Sequence, residues 1–467
     1  MTRSRLSLLV VVALPLQACV VGPNYAPPPA GRLGVPDTYS IPPPRSAPID
    51  IATWWTAFND PELSSIVDRA RKGNLDIAQA VARLKQAREG LVQARASLLP
   101  SVSGSAGYNR TVLDSVGPRD NFSIGADASY QANLFGGTTR SIEAARANEQ
   151  ASGFDLATVQ TSIAAEVARN YILARQYQSA LKIARGSLTL QDDNLEIAGF
   201  RVQAGLVSSL DQEQARAQRA QTAAQIPTIE QNYAAAVNRL GVLTGQAPGA
   251  LKAELETAQP IPLGPATIPV GIPADVLRQR PDIRAAERNL AAATAQIGVE
   301  KSALYPALNF TANIGTSATS FGGLANTVTG GLFAGLSQLI FDGGRTRSRV
   351  RGQEAAAQGA FAAYKSTVLT GLEDVENALQ ALQAAKDRQR EFALAFDASN
   401  AAAILARSQY RAGLTDITTL NSSEASLLSA QNGLNSARAD QAQAMVALYL
   451  ALGGGWDPAA APQLPQE

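Results

Sequence analysis

The chain has 467 residues, with 40 Lys+Arg against 39 Asp+Glu, no histidine and a single cysteine, Cys19. These counts exclude histidine acid–base chemistry, Ser-His-Asp triads, histidine- or cysteine-built metal sites and intramolecular disulfides. A net charge of +1 leaves no electrostatic footprint for nucleic acid. Aromatic residues make up only 6%, which suits long packed helices better than compact cores. No local motif suggests a carboxylate-only active site, so neither an enzyme activity nor a cofactor is expected.

Residues 1–18 read as a signal peptide. Arg3 and Arg5 precede an apolar run from Leu6 to Leu16, shorter than the ~20 residues that span a bilayer. Leu16-Gln17-Ala18-Cys19 resembles a bacterial lipobox, in which the cysteine is lipidated and becomes the first mature residue, although Gln17 occupies a place usually held by a small residue. Val20 rather than aspartate follows, which fits sorting to the outer membrane. Residues 19–60 form a lipidated, Pro-rich N-terminal segment, with Ala26-Pro27-Pro28-Pro29 and Ile41-Pro42-Pro43-Pro44 as an extended, semi-rigid strap.

Beyond the strap the chain is duplicated. Asp76 is answered by Asp282, Pro100 by Pro306 and Phe135 by Phe341, each 206 residues on, and Gly205 by Gly413 at 208. A unit this long is a domain-sized element rather than a solenoid repeat of ~20–50 residues. The first αββαα repeat covers 61–245 and the second 275–456. A linker at 246–274, rich in proline, joins them, and a tail fills 457–467.

Each repeat carries two segments with period two. In Phe122–Leu134 the even positions include Phe122, Ile124, Tyr130 and Leu134, and the odd ones Ser123, Asp127, Gln131 and Asn133. Residues 307–316 alternate likewise, and weaker partners at 101–112 and 327–341 complete two hairpins with loops at Asp114–Asp120 and Thr316–Asn326. Strict alternation marks strands with one apolar and one polar face. Their lengths fit the ~9–11 residues of a tilted membrane strand, and Phe135 and Phe341 sit where an interfacial girdle falls. Four strands alone would leave unpaired backbone in hydrocarbon. The chain must therefore oligomerise, to a dimer, trimer or tetramer of 8, 12 or 16 strands, and the strand count does not choose.

After Gly137 the period changes to sevens: Val167, Ala174, Leu181, Leu188, Leu195 and Val202, answered by Phe361, Val368, Val375 and Leu382. This predicts coiled-coil-like helices over 138–204 and 344–412, on the order of 100 Å each. Shorter helices at Leu75–Leu99 and Ser209–Thr244 have a combined length close to one long helix, so they stack end to end beside it. Ala204-Gly205-Leu206 and Ala412-Gly413-Leu414 should end the long helices with a left-handed glycine, forming hairpin tips far from the membrane. Small apolar tips with no core to fill are the expected docking surface for a partner.

Val21-Gly22-Pro23-Asn24-Tyr25, Trp54-Trp55 with Phe58, Asp60-Pro61, Arg280-Pro281-Asp282-Ile283 and the terminal Gly453-Gly454-Gly455-Trp456 together resemble the TolC-like outer-membrane factors, in their lipidated OprM/NodT-like efflux branch. The resemblance covers essentially the whole mature chain. It implies a homotrimer, with a 12-stranded barrel continued by a helical periplasmic tunnel that meets a periplasmic adaptor and an inner-membrane pump. The function implied is a passive exit duct for small molecules. A duct for secreted proteins shares the fold, and a non-pore envelope lipoprotein is the alternative from another class. Where relatives narrow the tunnel with a leucine and an aspartate four residues apart, this chain has Thr418 and Ser422. Asp211 and Asp416 are the acids near the tips that remain candidates for the constriction.

Overall fold

The computed structural model describes residues 20–40, 51–113, 117–265, 273 and 279–457. The signal peptide, Cys19, part of the linker and the tail beyond Asp457 lie outside the described residues. The chain is mostly helical with one small antiparallel sheet. Its elements are α1 (Ala30–Leu33), a 3-10 turn (Trp54–Phe58), α2 (Pro61–Gly73), α3 (Leu75–Ala96), β1 (Ser101–Leu113), β2 (Gly117–Ala132), α4 (Gly137–Gln203) and α5 (Ser209–Leu243). The second repeat supplies α6 (Pro281–Ser302), β3 (Ala307–Ala318), a 3-10 turn (Phe321–Ala325), β4 (Thr329–Ser337), α7 (Arg345–Arg411) and α8 (Ile417–Ala451). The two repeats match closely in their helices: α4 and α7 have 67 residues each, α5 and α8 have 35, and α3 and α6 have 22.

The chain divides into two compact units. One draws on Met1–Pro29, Arg83–Gly153 and Arg284–Ser366 and holds the sheet. Its strands run in the order β1-β2-β3-β4, all antiparallel, with Ala128 opposite both Val102 and Ala312, and Ala312 opposite Leu332. β2 starts at Gly117, five residues before the alternation becomes visible. Pro118, Arg119 and Asp120 hide the pattern yet pair with Val112, Thr111 and Arg110. β4 ends at Ser337 rather than continuing to residue 341. Beyond it the Gln338 amide turns aside and donates to Leu304 O at 3.2 Å and Leu339 O at 3.1 Å. Phe135 and Phe341 therefore follow their strands, and the Phe135 ring stacks on Tyr305 at 4.8 Å.

The second unit comprises Ala30–Ala82, Phe154–Ile283 and Thr367–Glu467. Asp60 caps α2, its Oδ1 accepting from the amides of Glu62 and Leu63 at 3.0 Å, with Pro61 at the first helical position. The duplication is visible where α5 and α8 end. Gly245 at φ +74° and Gly453 at φ +80° terminate them in the left-handed conformation. A Cβ on Gly245 would lie 2.1 Å from Gly73 O, and one on Gly453 would lie 2.8 Å from Gln279 O. Only glycine fits either place. Trp54 is buried against Tyr449, the rings stacked at 5.4 Å, and Trp456 donates from Nε1 to Gln279 O at 2.9 Å.

One hub has no counterpart in the second repeat, where Gln383 stands 208 residues beyond Arg175. Fully buried Arg175 donates to Gln178 Oε1 at 2.7 Å, Thr257 O at 2.9 Å and Tyr171 OH at 3.0 Å, and pairs with Glu62. It fastens α2 and the segment after α5 to α4. Burial raises the Glu62 carboxyl above its ordinary range despite the adjacent guanidinium.

Candidate functional site

Residues directly opposite one another in an antiparallel pair share a face, so the register sorts the sheet. One face carries Val102, Tyr108, Val112, Phe122, Ile124, Tyr130, Phe310, Ile314, Leu332 and Leu336, with the Arg110–Asp120 ion pair at 3.7 Å towards the turn between β1 and β2; several of the apolar residues are exposed, Leu332 to 81%. The other carries Ser103, Ser105, Asn109, Asp127, Ser129, Gln131, Asn309, Thr311 and Asn313. Among the described residues, each of β1 and β4 is paired on one side only. The sheet thus has two unlike faces and two open edges. Among the described residues, no helix is long and apolar enough to cross a membrane.

The strap is not free where it begins. Arg140, buried in the first turn of α4, donates to Val21 O at 3.1 Å, Gly22 O at 3.3 Å, Asn24 Oδ1 at 2.6 Å and Glu143 at 2.7 Å. Val21 N donates to Phe135 O at 3.1 Å. Glycines make the slot: a Cβ on Gly22 would lie 2.5 Å from Gly298 Cα, and one on Gly136 would lie 2.7 Å from Val20 Cγ1. Tyr25 donates to Glu287, and Arg288 stands over its ring at 5.7 Å. Burial and that carboxylate together push the Tyr25 phenol up. This docking site was not read from the sequence.

Both tips are closed by the same bonds. Leu206 N donates to Arg201 O at 2.9 Å and Gly205 N to Val202 O at 2.9 Å; Leu414 N donates to Gln409 O at 2.8 Å and Gly413 N to Tyr410 O at 3.0 Å. This is the Schellman pattern, with Gly205 at φ +68° and Gly413 at φ +76°. Leu206 and Leu414 are 70% and 78% exposed, and Ala204 and Ala412 are exposed beside them. Space around Gly205 is open, whereas a Cβ on Gly413 would lie 3.2 Å from Arg201 Nη2.

The four constriction candidates are engaged locally. Asp416 caps α8, accepting from Thr419 N at 2.7 Å, and that backbone bond holds its carboxyl below the usual range. Asp211 lies in the first turn of α5, where the Ser208 hydroxyl is 3.4 Å from Oδ1. Ser422 donates to Thr419 O at 2.9 Å, and Thr418 reaches across to Gln214 at 3.5 Å. Each aspartate is held within its own turn; of the four, Thr418 is the one that reaches from α8 to α5.

Behind the tips sits a charge that sequence reasoning passed over. Glu424 is buried on α8, accepts from Asn194 Nδ2 at 2.9 Å and pairs with Arg407 at 3.1 Å. It ties α4, α7 and α8 together next to a core of Ala198, Ala215, Ala406, Tyr410, Ile417 and Leu420. The available signal was an acid placed four residues from Leu420 on a helix face that is otherwise apolar.

The sequence profile described as outer membrane efflux protein matches residues 66–246 and 272–454. The two stretches start 206 residues apart, at 66 and 272, which is the offset of the internal repeat. Nodulation protein T of Rhizobium leguminosarum bv. trifolii is 32% identical over 457 residues, covering 96% of this chain and 97% of its own. The pyoverdine export outer membrane protein OpmQ of Pseudomonas putida is also 32% identical and covers 98% of each chain. Among solved structures, the outer-membrane channel OprN is similar with TM-score 0.85 at 32% identity, over 94% of this chain and 100% of that one. The open state of the MtrE outer membrane channel of Neisseria gonorrhoeae gives TM-score 0.83 at 26% identity, over 94% and 99%.

Proposed function

This chain belongs to the outer membrane efflux protein family, and from that premise we propose that three copies form a single exit duct through the outer membrane. The observation that carries the proposal is the sheet: four strands, apolar on one exposed face, polar on the other and open at both edges. Open edges are untenable in hydrocarbon, and closure by β1–β4 pairing between copies satisfies every ladder. Three copies give 12 strands, with the apolar face towards lipid and the polar face lining water. The helices continue the duct into the periplasm.

In this reading Cys19 is the lipid attachment and the Arg140 slot seats the residues that follow it at the foot of β2. The tips Ala204–Leu206 and Ala412–Leu414 meet a periplasmic adaptor, through which an inner-membrane pump supplies the energy. The duct itself needs no cofactor. Asp211, Asp416, Thr418 and Ser422 border its narrow periplasmic end. The pyoverdine export relative favours a small-molecule cargo over a secreted protein. Purified protein in a planar bilayer should give discrete ohmic current steps. A preparation that inserts into the bilayer and passes no current at any voltage would overturn the channel reading.

A further inference from the structure

The polar face of the sheet carries an aromatic ring. Tyr108, Phe122, Tyr130 and Phe310 all lie on the apolar face, where Tyr108 meets Phe122 at 5.0 Å and Tyr130 meets Phe310 at 6.4 Å. Phe333 stands opposite Thr311, which stands opposite Ser129. Among the described strand residues it is the aromatic side chain on the polar face, and it is 66% exposed.

Its neighbours on the same strand and face are glycines. A Cβ on Gly335 would lie 2.7 Å from Phe333 Cε1 and 3.2 Å from Cζ, so the ring lies down over bare backbone. One ring face is against the sheet and the other is open. At Gly331 a Cβ would lie 3.0 Å from Asn313 Oδ1, so the amide of Asn313 takes that place. In the next pairing along, Asn313 stands opposite both Gly331 and Asp127. Asp127 is exposed, is the acid on this face of the described strands, and forms no ion pair among the described residues. Asp127 lies two strands across and one pairing along from Phe333, whose ring leans the other way, so carboxylate and ring are about 14 Å apart on the same wall. Arg119 is the other charge on the face, eight residues and on the order of 27 Å away along β2.

We propose that Phe333 is a wall site for aromatic or quaternary organic cations, one per subunit, with Asp127 as the acid that draws cations to that wall. The inference rests on the trimeric-duct reading, which turns this face inward. An open ring face attracts a cation by its quadrupole, and the Asp127 carboxylate further along the same wall raises the local concentration of cations without closing over the ring. The glycines are what make the ring a platform: any side chain at residue 335 would stand it upright. A polar wall of serine, threonine and asparagine lets solutes slide past, whereas this site retains one class of them briefly.

The test is the current through single channels of the purified full-length protein, with phenyltrimethylammonium added to potassium chloride. Wild-type current should fall in a saturable way. Phe333→Leu should raise the half-effective concentration about 2–5-fold, Phe333→Tyr should restore it, and Asp127→Asn should weaken the effect and remove its dependence on ionic strength. Phe333→Leu and Phe333→Tyr channels should conduct potassium as the wild type does. Wild-type channels that conduct but respond to the cation no differently from Phe333→Leu channels overturn the wall site and leave the duct intact. Absence of current in every preparation overturns the duct and the wall site with it.

Discussion

Asn74 and Arg280 stand 206 residues apart and make the same bond. Asn74 Nδ2 donates to Leu243 O, the last residue of α5, at 2.9 Å, and Arg280 Nη1 donates to Ala451 O, the last residue of α8, at 3.2 Å. Each satisfies a helix-terminal carbonyl that has no partner within its own helix. Asn74 also caps α3 through the amides of Asp76 and Ile77, at 2.8 and 3.2 Å. A short helix thus begins where a long hairpin arm ends, in both repeats.

The second repeat uses the stronger donor. Burial lowers the Arg280 pKa, but hydrogen bonds from its guanidinium to Asp282 at 2.7 Å and Asp374 at 2.9 Å outweigh that and raise it overall. Asn74→Ala should destabilise by about 1–3 kcal/mol, and Arg280→Met by a similar amount, since it leaves the equivalent carbonyl unpaired while water reaches its partly exposed partners Asp282 and Asp374. Thermal unfolding followed by far-ultraviolet circular dichroism measures both. An Arg280→Met protein melting with the wild type would show that the bond is incidental.

The strap slot makes a separate prediction. Arg140→Met removes the donor from two carbonyls, an amide oxygen and Glu143, and should free residues 20–25 to proteolysis. Gly298→Val should do the same by filling the slot, since a Cβ there would already lie 2.6 Å from Arg140 Cγ and 2.9 Å from Val21 O. Cys19→Ser, exported on an ordinary cleavable signal, should still reach the outer membrane, because the barrel contributes far more buried surface than one acyl anchor. Recovery of that variant solely as a soluble periplasmic protein would contradict a barrel.

How much of this was legible in the sequence depends on the range of the interaction. The period-two segments expose the sheet because alternation is a local pattern, and the sevens expose α4 and α7 for the same reason. Gly205 and Gly413 are readable as helix stops, since a left-handed residue is required there whatever surrounds it. The Gly22–Gly298 contact is not readable: each glycine is unremarkable alone, and the need for it arises only when residues 276 positions apart are pressed together. Arg175 and Glu424 were passed over because a charge in a helix reads as solvated until tertiary structure buries it. Asp416 is readable locally too, since an aspartate just past a left-handed glycine can cap the next helix, and its geometry is that of the cap.

Gly205→Asp tests the tips more cleanly than its counterpart at Gly413. Nothing lies within 4 Å of the place where a Cβ would go at Gly205, so the change adds charge and left-handed strain without a collision. Oligomer assembly should persist while transport and cross-linking to the adaptor fall. Transport at the wild-type level in a Gly205→Asp, Gly413→Asp double variant would remove the tips from the docking surface.

Selectivity at the narrow end should follow the two tip aspartates. Asp211→Asn with Asp416→Asn should lower cation selectivity, read as a smaller reversal potential under a salt gradient, and Thr418→Asp should raise it. The pH dependence of the cap has a definite sign. The folded carboxyl of Asp416 is held below its unfolded value, so its contribution is complete above the unfolded carboxylate range and is lost as pH falls through the depressed folded value. Asp416→Asn keeps a cap and should abolish that acid-side loss. Reversal potentials unmoved by all of these changes would confine both aspartates to helix capping.

Closure of the sheet between copies is the claim on which the rest depends, and edge-to-edge cross-linking tests it directly. In a Cys19→Ser background, Val102→Cys on β1 is combined in turn with Gly330→Cys, Leu332→Cys, Ala334→Cys or Leu336→Cys on β4, all on the apolar face. Oxidation in outer membranes should give, for one register, a ladder of one, two and three linked chains that stops at three. A ladder that stops at two or runs to four, or no intermolecular link in any register, would contradict a trimeric 12-stranded barrel.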